Sequence, residues 1–596
     1  MISVSEKYKL ACDSNQRSSY VIAKYGLFNK EAKTLINTYS ANTPQLFSSI
    51  ENTFDETKEN VYKYISNEPN RVNLDGSFAF VQNKEQINTN QKIGYWSKEM
   101  SDDNGVFATP ISITYNFKKE IAYSNLILYF DEVIEKMKVQ YYLNNAMIYE
   151  KAIDNNDKLI VDTTNEQNSN PIQYFDKLII IIYKTKEANR YAKLNEIDFG
   201  SYKIFSNSDI KKFNSIDELS KDGSQNYSNY CEITINDKNG EYDLLNPYNN
   251  LQYIQKEQKI TLIHYLKVGA GYREVPLGTY LLKDIKHANK ELTLVCYDEI
   301  YFMNKKYYGS KFYENESAKN VLRDFFNFIN YSENKYEIDE YFDTIYLSGY
   351  IPVVETKEAL RLICESCRGI IINDKNGVIK IKSSFGNPVK YFKLGQYQNS
   401  QPSQTLYNNI VSIDEYTYTI KEELVELYNA KLSKGQHIIE FKQTPIVYKQ
   451  YNGDPNELKT EANENYQIID LYATSCVVNV LQDTEVKLSG KIYNETYSTK
   501  DYKREDVDTN VDEYVKTSIS NKLINSTNIQ SVADWKLSQG NLKYSFKCKS
   551  LPYIEKGDVC RIELPYKNYN GEKIVRDFVV TRTEFDNSLL ETIEGE

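Results

Sequence analysis

Alternating hydrophobic and polar positions dominate the first part of the chain and predict β-strands. Residues 111–117 read Ile-Ser-Ile-Thr-Tyr-Asn-Phe, so that every second side chain is apolar. Apolar positions at 126–130 and 139–143 predict two more strands, and the continuous apolar run at 178–183 is typical of a buried strand. Many short strands at this spacing between residues 61 and 200 predict a sandwich of two sheets.

Strands resume after a polar stretch rich in Ser and Asn at 206–229, which predicts a linker or a long loop. Alternation at 231–235 and 291–296, and an apolar run at 260–263, predict a second β region. From about residue 405 to the end the chain again alternates. The predicted fold class is therefore mainly β, with an α+β insertion between these regions.

Helical spacing of apolar residues marks the insertion. Residues 318–329 carry one apolar stripe, and Ser317 is available to cap its N-terminus. A second helix is predicted over 356–369, ending at a glycine suited to the left-handed position that closes many helices. Helical spacing also occurs around 511–523 and at 532–537.

The pentapeptide Asn-Asp-Lys-Asn-Gly occurs twice, at 236–240 and 373–377, and two structures compete for it. In an EF-hand register the first ligands would be Ile235 and Ile372, whose side chains cannot coordinate calcium. Asn-Gly beside alternating runs favours a hairpin, because both residues tolerate the positive φ of a type I′ turn. We therefore predict two hairpin turns and no metal site.

Composition changes this picture only in part. The length of 596 residues predicts roughly four domains, and 41% hydrophobic residues suffice for several cores. The 53 Tyr residues have two interpretations, which composition does not separate. One is the codon bias of an AT-rich genome, and the other is a tyrosine-rich contact surface.

Charge excludes one class of partner. The net charge is −11, from 83 acidic and 72 basic residues, with no long basic block. A duplex-binding protein gathers Lys and Arg on one face to displace counterions, so no nucleic-acid partner is expected. Residues 1–7 are polar and show no secretory signal, and the longest apolar run is far shorter than the about 20 residues that span a bilayer. We expect a soluble protein without a membrane span, synthesised in the cytoplasm.

Candidate catalytic and metal-binding residues are few. Of eight Cys, only Cys364 and Cys367 have a motif spacing, and a single CxxC without a nearby His does not complete a zinc site. The His residues, at 264, 287 and 437, have no Cys or second His at ligand spacing. No nucleophile elbow, phosphate loop or metalloprotease motif is present. The sequence therefore predicts buried reduced thiols, no catalytic residue, no cofactor and no enzyme activity.

The first group of longer motifs lies in the predicted sandwich. It comprises Asn-Arg-Val-Asn-Leu-Asp-Gly-Ser-Phe at 70–78, Gly-Tyr-Trp-Ser at 94–97, Ser-Asp-Asp-Asn-Gly-Val-Phe at 101–107, Arg-Tyr-Ala-Lys at 190–193 and Ile-Asp-Phe-Gly at 197–200. These motifs resemble a module of tail proteins from phages of Gram-positive bacteria. The resemblance covers about 130 residues and implies a galactose-binding-type jelly roll, similar to carbohydrate-binding domains. Asp75, Tyr95 and Trp96 form its candidate ligand face, and the alternative for Trp96 is a core position.

A second group of motifs lies between residues 201 and 596. It comprises Val-Pro-Leu-Gly-Thr-Tyr at 275–280, Leu-Thr-Leu at 292–294 with Tyr-Asp at 297–298, Ile-Glu-Lys-Gly-Asp at 554–558 and Val-Val-Thr-Arg at 579–582. These motifs resemble the baseplate-hub proteins of phage tails and related contractile particles. The resemblance implies two small β-barrels interleaved with a helical insertion. It also implies copies that form a ring, expected to be a trimer, which continues the tail tube and binds other baseplate proteins.

Together these patterns predict five segments: an N-terminal segment at 1–60, the jelly roll at 61–200, a first barrel at 201–310, a helical α+β subdomain at 311–404, and a second barrel with the C-terminal region at 405–596. The predicted function is that of a structural hub component in the tail tip of a virion or a phage-tail-like particle. The alternative is a receptor-binding tail protein whose jelly roll binds a cell-surface glycan. A third possibility, a tail-associated hydrolase, lacks a catalytic constellation, since no peptidase or lysozyme module is appended.

Overall fold

The fold is mainly β, as predicted, and divides into two compact units. In the computed structural model, Lys24–Phe205 and Lys238–Lys259 form one unit, the sandwich unit. Met1–Ala23, Ser206–Asp237 and Ile260–Glu596 form the other, the barrel unit. The structure describes all residues except 1, 15, 29, 43, 46–47, 55–65, 71–93, 123–125, 164–173, 207, 239, 241, 244–253, 399–402, 405–407, 448–449, 452–453, 456–458, 461–464, 505–514, 540–541 and 587–589.

The helices and strands of the described residues have the following bounds. The helices are α1 Glu6–Asp13, α2 Lys30–Thr34, α3 Ala318–Phe328, α4 Thr356–Cys367 and α5 Ile529–Leu537. The strands up to residue 205 are β1 Ser19–Phe28, β2 Ile36–Ala41, β3 Tyr95–Met100, β4 Val106–Ala122, β5 Leu126–Phe130, β6 Ile134–Leu143, β7 Ala146–Ile153, β8 Ile160–Asp162, β9 Tyr174–Thr185 and β10 Tyr191–Phe205. The next strands are β11 Ile210–Glu218, β12 Tyr230–Asn236, β13 Lys259–Val268, β14 Gly271–Ala288, β15 Glu291–Tyr297, β16 Lys306–Tyr307, β17 Tyr313–Ser317, β18 Tyr336–Ile338, β19 Tyr346–Gly349, β20 Val354–Glu355, β21 Ile370–Asn373, β22 Ile379–Lys382, β23 Lys390–Phe392, β24 Tyr397–Gln398 and β25 Ser403–Gln404. The last strands are β26 Asn408–Leu432, β27 Gly435–Glu440, β28 Gln450–Tyr451, β29 Asp454–Pro455, β30 Lys459–Thr460, β31 Tyr466–Leu471, β32 Ser475–Val480, β33 Thr484–Lys503, β34 Val515–Ile519, β35 Leu542–Lys549, β36 Val559–Lys567, β37 Lys573–Asp586 and β38 Leu590–Gly595.

The sandwich unit consists of two antiparallel sheets, as the alternating pattern predicted. One sheet has the order β2-β4-β9-β6-β7, and the other has the order β3-β10-β5-β8. Buried side chains of both sheets, such as Ile113 in β4 and Leu128 in β5, belong to one hydrophobic core. Because β2 is a strand of the first sheet, the predicted N-terminal segment, 1–60, is divided between the two units.

Antiparallel ladders run through much of the barrel unit. Strands β11, β12, β15 and β14 pair in that order, and β11 also pairs with β37, which continues through β38 to β35. The predicted barrel segments 201–310 and 405–596 are therefore joined by direct strand pairing. The long strands β26 and β33 form a separate sheet with β30 and β34, and β27, β32 and β31 form another.

Both helices predicted in the helical insertion are confirmed, but the C-terminus of α4 differs from the prediction. The Ser317 hydroxyl accepts a hydrogen bond from the Asn320 N–H (3.2 Å), so α3 begins at the predicted cap. At the end of α4 the left-handed residue is Arg368 (φ 62°) and not Gly369. A Cβ on Gly369 would lie 3.2 Å from Ile381 Cγ2, so this glycine serves close packing. Among the described residues no helix is long and apolar enough to cross a bilayer.

The predicted helix around 511–523 is wrong where the structure describes it. Residues Val515–Ile519 form β34, which pairs in parallel with the start of β26. The neighbouring strand supplies ladder hydrogen bonds that the local apolar spacing does not reveal. The helix predicted at 532–537 is confirmed as α5, which begins at Ile529.

The second pentapeptide is confirmed as a hairpin turn between β21 and β22. The Asp374 N–H donates to the Val378 carbonyl, and the Asp374 carboxylate accepts the N–H groups of Asn376 and Val378 at 2.9 Å each. The prediction for the first copy is wrong. Strand β12 pairs with β11 and β15, and the Asp237 N–H donates to the Lys290 carbonyl. Both edges of β12 are already paired, so no strand that follows the Asn-Gly turn can pair with β12 as a local hairpin.

We expect neither pentapeptide to bind calcium more tightly than about 1 mM, the weak end of protein calcium sites. The Asp374 carboxylate is occupied by two backbone N–H groups, and the Asp237 carboxylate lies 3.0 Å from His287 Nε2. Calorimetric titration of the full chain with calcium checks this. A micromolar site that disappears in Asp237→Ala or Asp374→Ala would contradict it.

Candidate functional site

Two of the three residues of the candidate ligand face are buried. Tyr95 and Trp96 begin β3 and are 0% and 4% exposed, whereas Asp75 lies outside the described residues. The Lys193 ammonium sits 4.3 Å from the centre of a Trp96 ring, and the Tyr191 ring stacks on Trp96 at 6.2 Å. In the described part of the sandwich unit, Tyr95 and Trp96 therefore present no aromatic platform at the surface.

Lys193 instead belongs to a buried ion pair. Its Nζ lies 2.5 Å from Glu68 Oε2, and the Tyr191 N–H donates to Glu68 Oε1 at 2.9 Å. Burial opposes ionisation of Glu68, but the charge of Lys193 and these hydrogen bonds outweigh it and lower the pKa of that carboxyl. The Arg-Tyr-Ala-Lys motif thus fastens the segment around Glu68 to strand β10.

A second buried cluster lies in the barrel unit, and we call it the junction. It consists of Asp217 in β11, Asn229 before β12, Asp298 after β15, Lys375 in the β21–β22 turn and Lys556 between β35 and β36. Each of the five residues is at most 5% exposed. Burying a charged side chain is energetically costly unless it is paired or hydrogen-bonded. The contacts of each junction residue therefore affect the stability of the fold.

Lys556 ties the two barrel segments together. Its ammonium donates to the Glu218 carbonyl at 2.8 Å and to the side-chain oxygen of Asn229. The Asn229 N–H in turn donates to Asp298 Oδ2 at 2.8 Å. One side chain from the second barrel segment therefore holds both ends of the loop between β11 and β12 in the first.

Lys375 attaches the helical insertion to the same place. Its ammonium donates to the carbonyls of Pro552 and Ile554, both at 2.8 Å, and its N–H donates to Glu555 Oε1 at 3.2 Å. The second pentapeptide is therefore a hairpin whose lysine enters the turn before Lys556. The Asn-Gly pair predicted the hairpin, but it did not predict that the Lys375 side chain is buried against another turn.

Burial dominates the electrostatics of the junction. It raises the pKa of Asp217 to about 6, although Lys375 and Lys556 act in the opposite direction. Burial likewise raises the pKa of Asp298 and lowers the pKa of Lys556, which Asp298 and Asp217 partly restore. Tyr280 adds a hydroxyl 3.5 Å from Asp217 Oδ1, and that hydroxyl lies 2.7 Å from the Ser215 hydroxyl.

We expect Asp217→Asn to stabilise the barrel unit at pH 8 by about 2–3 kcal/mol. The pKa of Asp217 is raised from 3.8 to about 6, so the wild-type loses stability as pH rises through this interval. The gain should therefore vanish near pH 4, where Asp217 is protonated in the folded state. Urea unfolding at pH 4, 6 and 8 measures this, with the exposed Asp157→Asn as control. A gain that does not depend on pH would contradict the assignment.

The predicted thiols and histidines all lie in the barrel unit, and Cys231 lies close enough to Asp217 for the two groups to interact electrostatically. All eight Cys are free and buried, as predicted, and Cys364 and Cys367 sit on α4. Burial lowers the pKa of His264 to about 3, and His437 Nε2 lies 2.7 Å from the Ser433 carbonyl. Within the described ranges no three His, Cys, Asp or Glu side chains are grouped so as to hold a metal ion.

The sequence motifs contain Asp298 and Lys556 of the junction and the neighbouring Tyr280, but they indicate no role for these three residues. Tyr280, Asp298 and Lys556 each lie in one of the motifs between residues 275 and 558. Asp217 and Asn229 carried no signal, because a single Asp or Asn near a strand end is ordinary. A lysine between two carboxylates in a turn looks solvated, and only the fold shows that Lys556 is buried.

No protein-family model matches the chain, and no curated protein matches its sequence. Three solved structures illustrate what it is similar to. The 43 kDa tail protein of prophage MuSo2 from Shewanella oneidensis shares 10% identity over 66% of this chain and 94% of its own, with a TM-score of 0.34. A tail protein from Neisseria meningitidis MC58 shares 9% identity over 66% and 93%, with a TM-score of 0.37. The family 32 carbohydrate-binding module of NanJ from C. perfringens, in complex with galactose, shares 14% identity over 30% and 99%, with a TM-score of 0.19.

Proposed function

We propose that this protein is a structural component of a phage-tail or contractile-particle baseplate hub. One observation carries the proposal: three of the motifs that resemble hub proteins meet at or beside the junction, although the motif at 554–558 lies far along the chain from the other two. Tyr280, Asp298 and Lys556 come from three different motifs. The Tyr280 hydroxyl lies beside Asp217, and Lys556 is linked to Asp298 through Asn229. The buried charges of Lys556 and Asp217 also interact. A barrel unit whose segments are held together by buried polar contacts is suited to a structural protein that bears mechanical load and has no mobile active site.

The proposed assembly is a ring of three copies that continues the tail tube at the distal end of the particle. A ring of identical copies requires contacts between two different surfaces of the chain, and cyclic symmetry closes the set. We propose that the barrel unit supplies these contacts and that the protein catalyses no hydrolysis. Glycan binding by the sandwich unit is the alternative, but its candidate aromatic pair, Tyr95 and Trp96, is buried.

The mass of the purified full chain in solution tests the ring. Mass photometry and light scattering should give three times the mass of one chain at micromolar concentration. Obligate interfaces commonly bury more than about 2,000 Å², so the oligomer should persist in 0.5 M salt. A monomer at every accessible concentration would contradict the proposal. Specific retention of that monomer on a galactose-bearing glycan would favour the alternative.

A further inference from the structure

A groove on the barrel unit contains one charged residue that has no counterion among the described residues. The groove has a volume of about 620 Å³ and lies beside β23, β36 and β37. Val389 and Val575 give it an apolar wall. Arg561, also in its lining, forms a bidentate pair with Asp577 at 2.6 and 2.9 Å. Arg576 is exposed and has no anionic partner among the described residues.

Lys390, which also lines the groove, lies 2.8 Å from Asp13 Oδ1 and is therefore neutralised as well. Within the part of the chain that the structure describes, the groove thus combines an apolar wall with a single uncompensated positive charge. An occupant of matching chemistry would carry one carboxylate next to one exposed aliphatic side chain. A guanidinium also pairs with a carboxylate in a defined geometry, which adds specificity to such a contact.

A bulge in β26 carries that combination of groups. The pairing of β26 with β33 shifts between Lys421 and Val425, so that residues 422–424 project where the partner strand has only Lys491. Glu422 is neutralised by Lys491 at 2.8 Å. Glu423 is exposed and has no cationic partner in the part of the chain that the structure describes, and Leu424 is 44% exposed.

We propose that the groove of one copy accepts the 422–424 bulge of a second copy. Glu423 pairs with Arg576, and Leu424 packs against the apolar wall formed by Val389 and Val575. The proposal rests on the ring proposed above and adds the two surfaces that form its contact. Because groove and bulge are different surfaces, the contact is heterologous, as a ring requires. The occupant is argued from charge complementarity: each surface holds the charge that the other lacks.

The test compares the oligomer of the full wild-type chain with those of charge-reversal variants by mass photometry over a concentration series. Arg576→Glu and Glu423→Arg should each raise the concentration at which half of the chains are dissociated by about 10-fold or more. The double variant restores an opposite pair with its sign inverted, so it should recover most of that loss. Arg323→Glu and Glu485→Arg, at exposed positions elsewhere in the barrel unit, should change this concentration by less than about 2-fold.

The outcomes separate this proposal from the one on which it rests. A wild-type oligomer that neither single variant weakens would overturn the groove–bulge contact and leave the ring intact. Weakening by both single variants without recovery in the double variant would show that Arg576 and Glu423 do not face each other, which also overturns it. A wild-type chain that is monomeric throughout would overturn the ring itself. Circular dichroism of each variant establishes that it is folded.

Discussion

Replacing Lys556 by Met is expected to destabilise the barrel unit by about 3–5 kcal/mol at pH 8. Lys556 is 4% exposed, and its ammonium lies among the buried groups of Asn229, Asp217 and Asp298. Removing one partner of a buried ionic network leaves the remaining charges without compensation, which costs more than the network contributes in net stability. Two carboxylates and an amide oxygen would be left in a site that water does not reach.

The pH dependence of Lys556→Met distinguishes lost charge from lost packing. Both carboxylates have raised pKa values through burial, so they take up protons as pH falls and no longer need the lysine. The loss should therefore be smaller at pH 5 than at pH 8. Adding Asp298→Asn to Lys556→Met should recover part of the loss at pH 8.

Urea unfolding followed by the fluorescence of Trp535 in a Trp96→Phe background reports on the barrel unit alone, because the chain has two Trp. The matched control is Lys547→Met in β35, an exposed lysine whose replacement should cost less than about 0.5 kcal/mol. A loss in Lys556→Met that is no larger than the control would mean that the junction does not hold the barrel segments together.

Replacing Lys193 by Met should destabilise the sandwich unit by a similar amount, about 3–5 kcal/mol. Lys193 is 1% exposed, pairs with Glu68 and covers a ring of Trp96. Met fills much of the same volume, so the variant removes the charge and the cation–π contact while it retains most of the packing. The buried Glu68 carboxylate would then lack a cation.

The pH dependence here is expected to have a definite sign. In the wild-type the lowered pKa of Glu68 contributes stability that is present above its unfolded pKa and lost as pH falls below it. The difference between wild-type and Lys193→Met should therefore shrink in acid. Fluorescence of Trp96 in a Trp535→Phe background follows the transition, with the exposed Lys158→Met as control. Equal losses in the two variants would contradict the role given to Lys193.

Sequence patterns predicted those parts of the fold that depend on local spacing. The alternation at 111–117, the Ser317 cap and the second Asn-Gly turn each required only the residues within one element. The prediction of a hairpin at the first Asn-Gly was wrong because β12 pairs with β11 and β15. The residues around Asn-Gly do not indicate which strands pair with β12.

The junction could not be predicted for a related reason. Lys375 and Lys556 lie in turns, where a lysine is ordinarily solvated, and their burial follows only from loops brought together across the barrel unit. The aromatic pair Tyr95 and Trp96 shows the opposite case. The motif contains two aromatic residues that are buried in the sandwich unit, whereas Asp75, the third residue of the predicted ligand face, lies outside the described residues.

We propose above that this chain is a ring component at the distal end of a tail tube. The most direct test is electron microscopy of purified particles from the producing bacterium, with the chain tagged at its C-terminus and the tag labelled. We expect label at one end of each tube, with averaged images showing threefold density around its axis. Label along fibres or on the sides of the tube, or particles that contain none of this chain, would contradict the account.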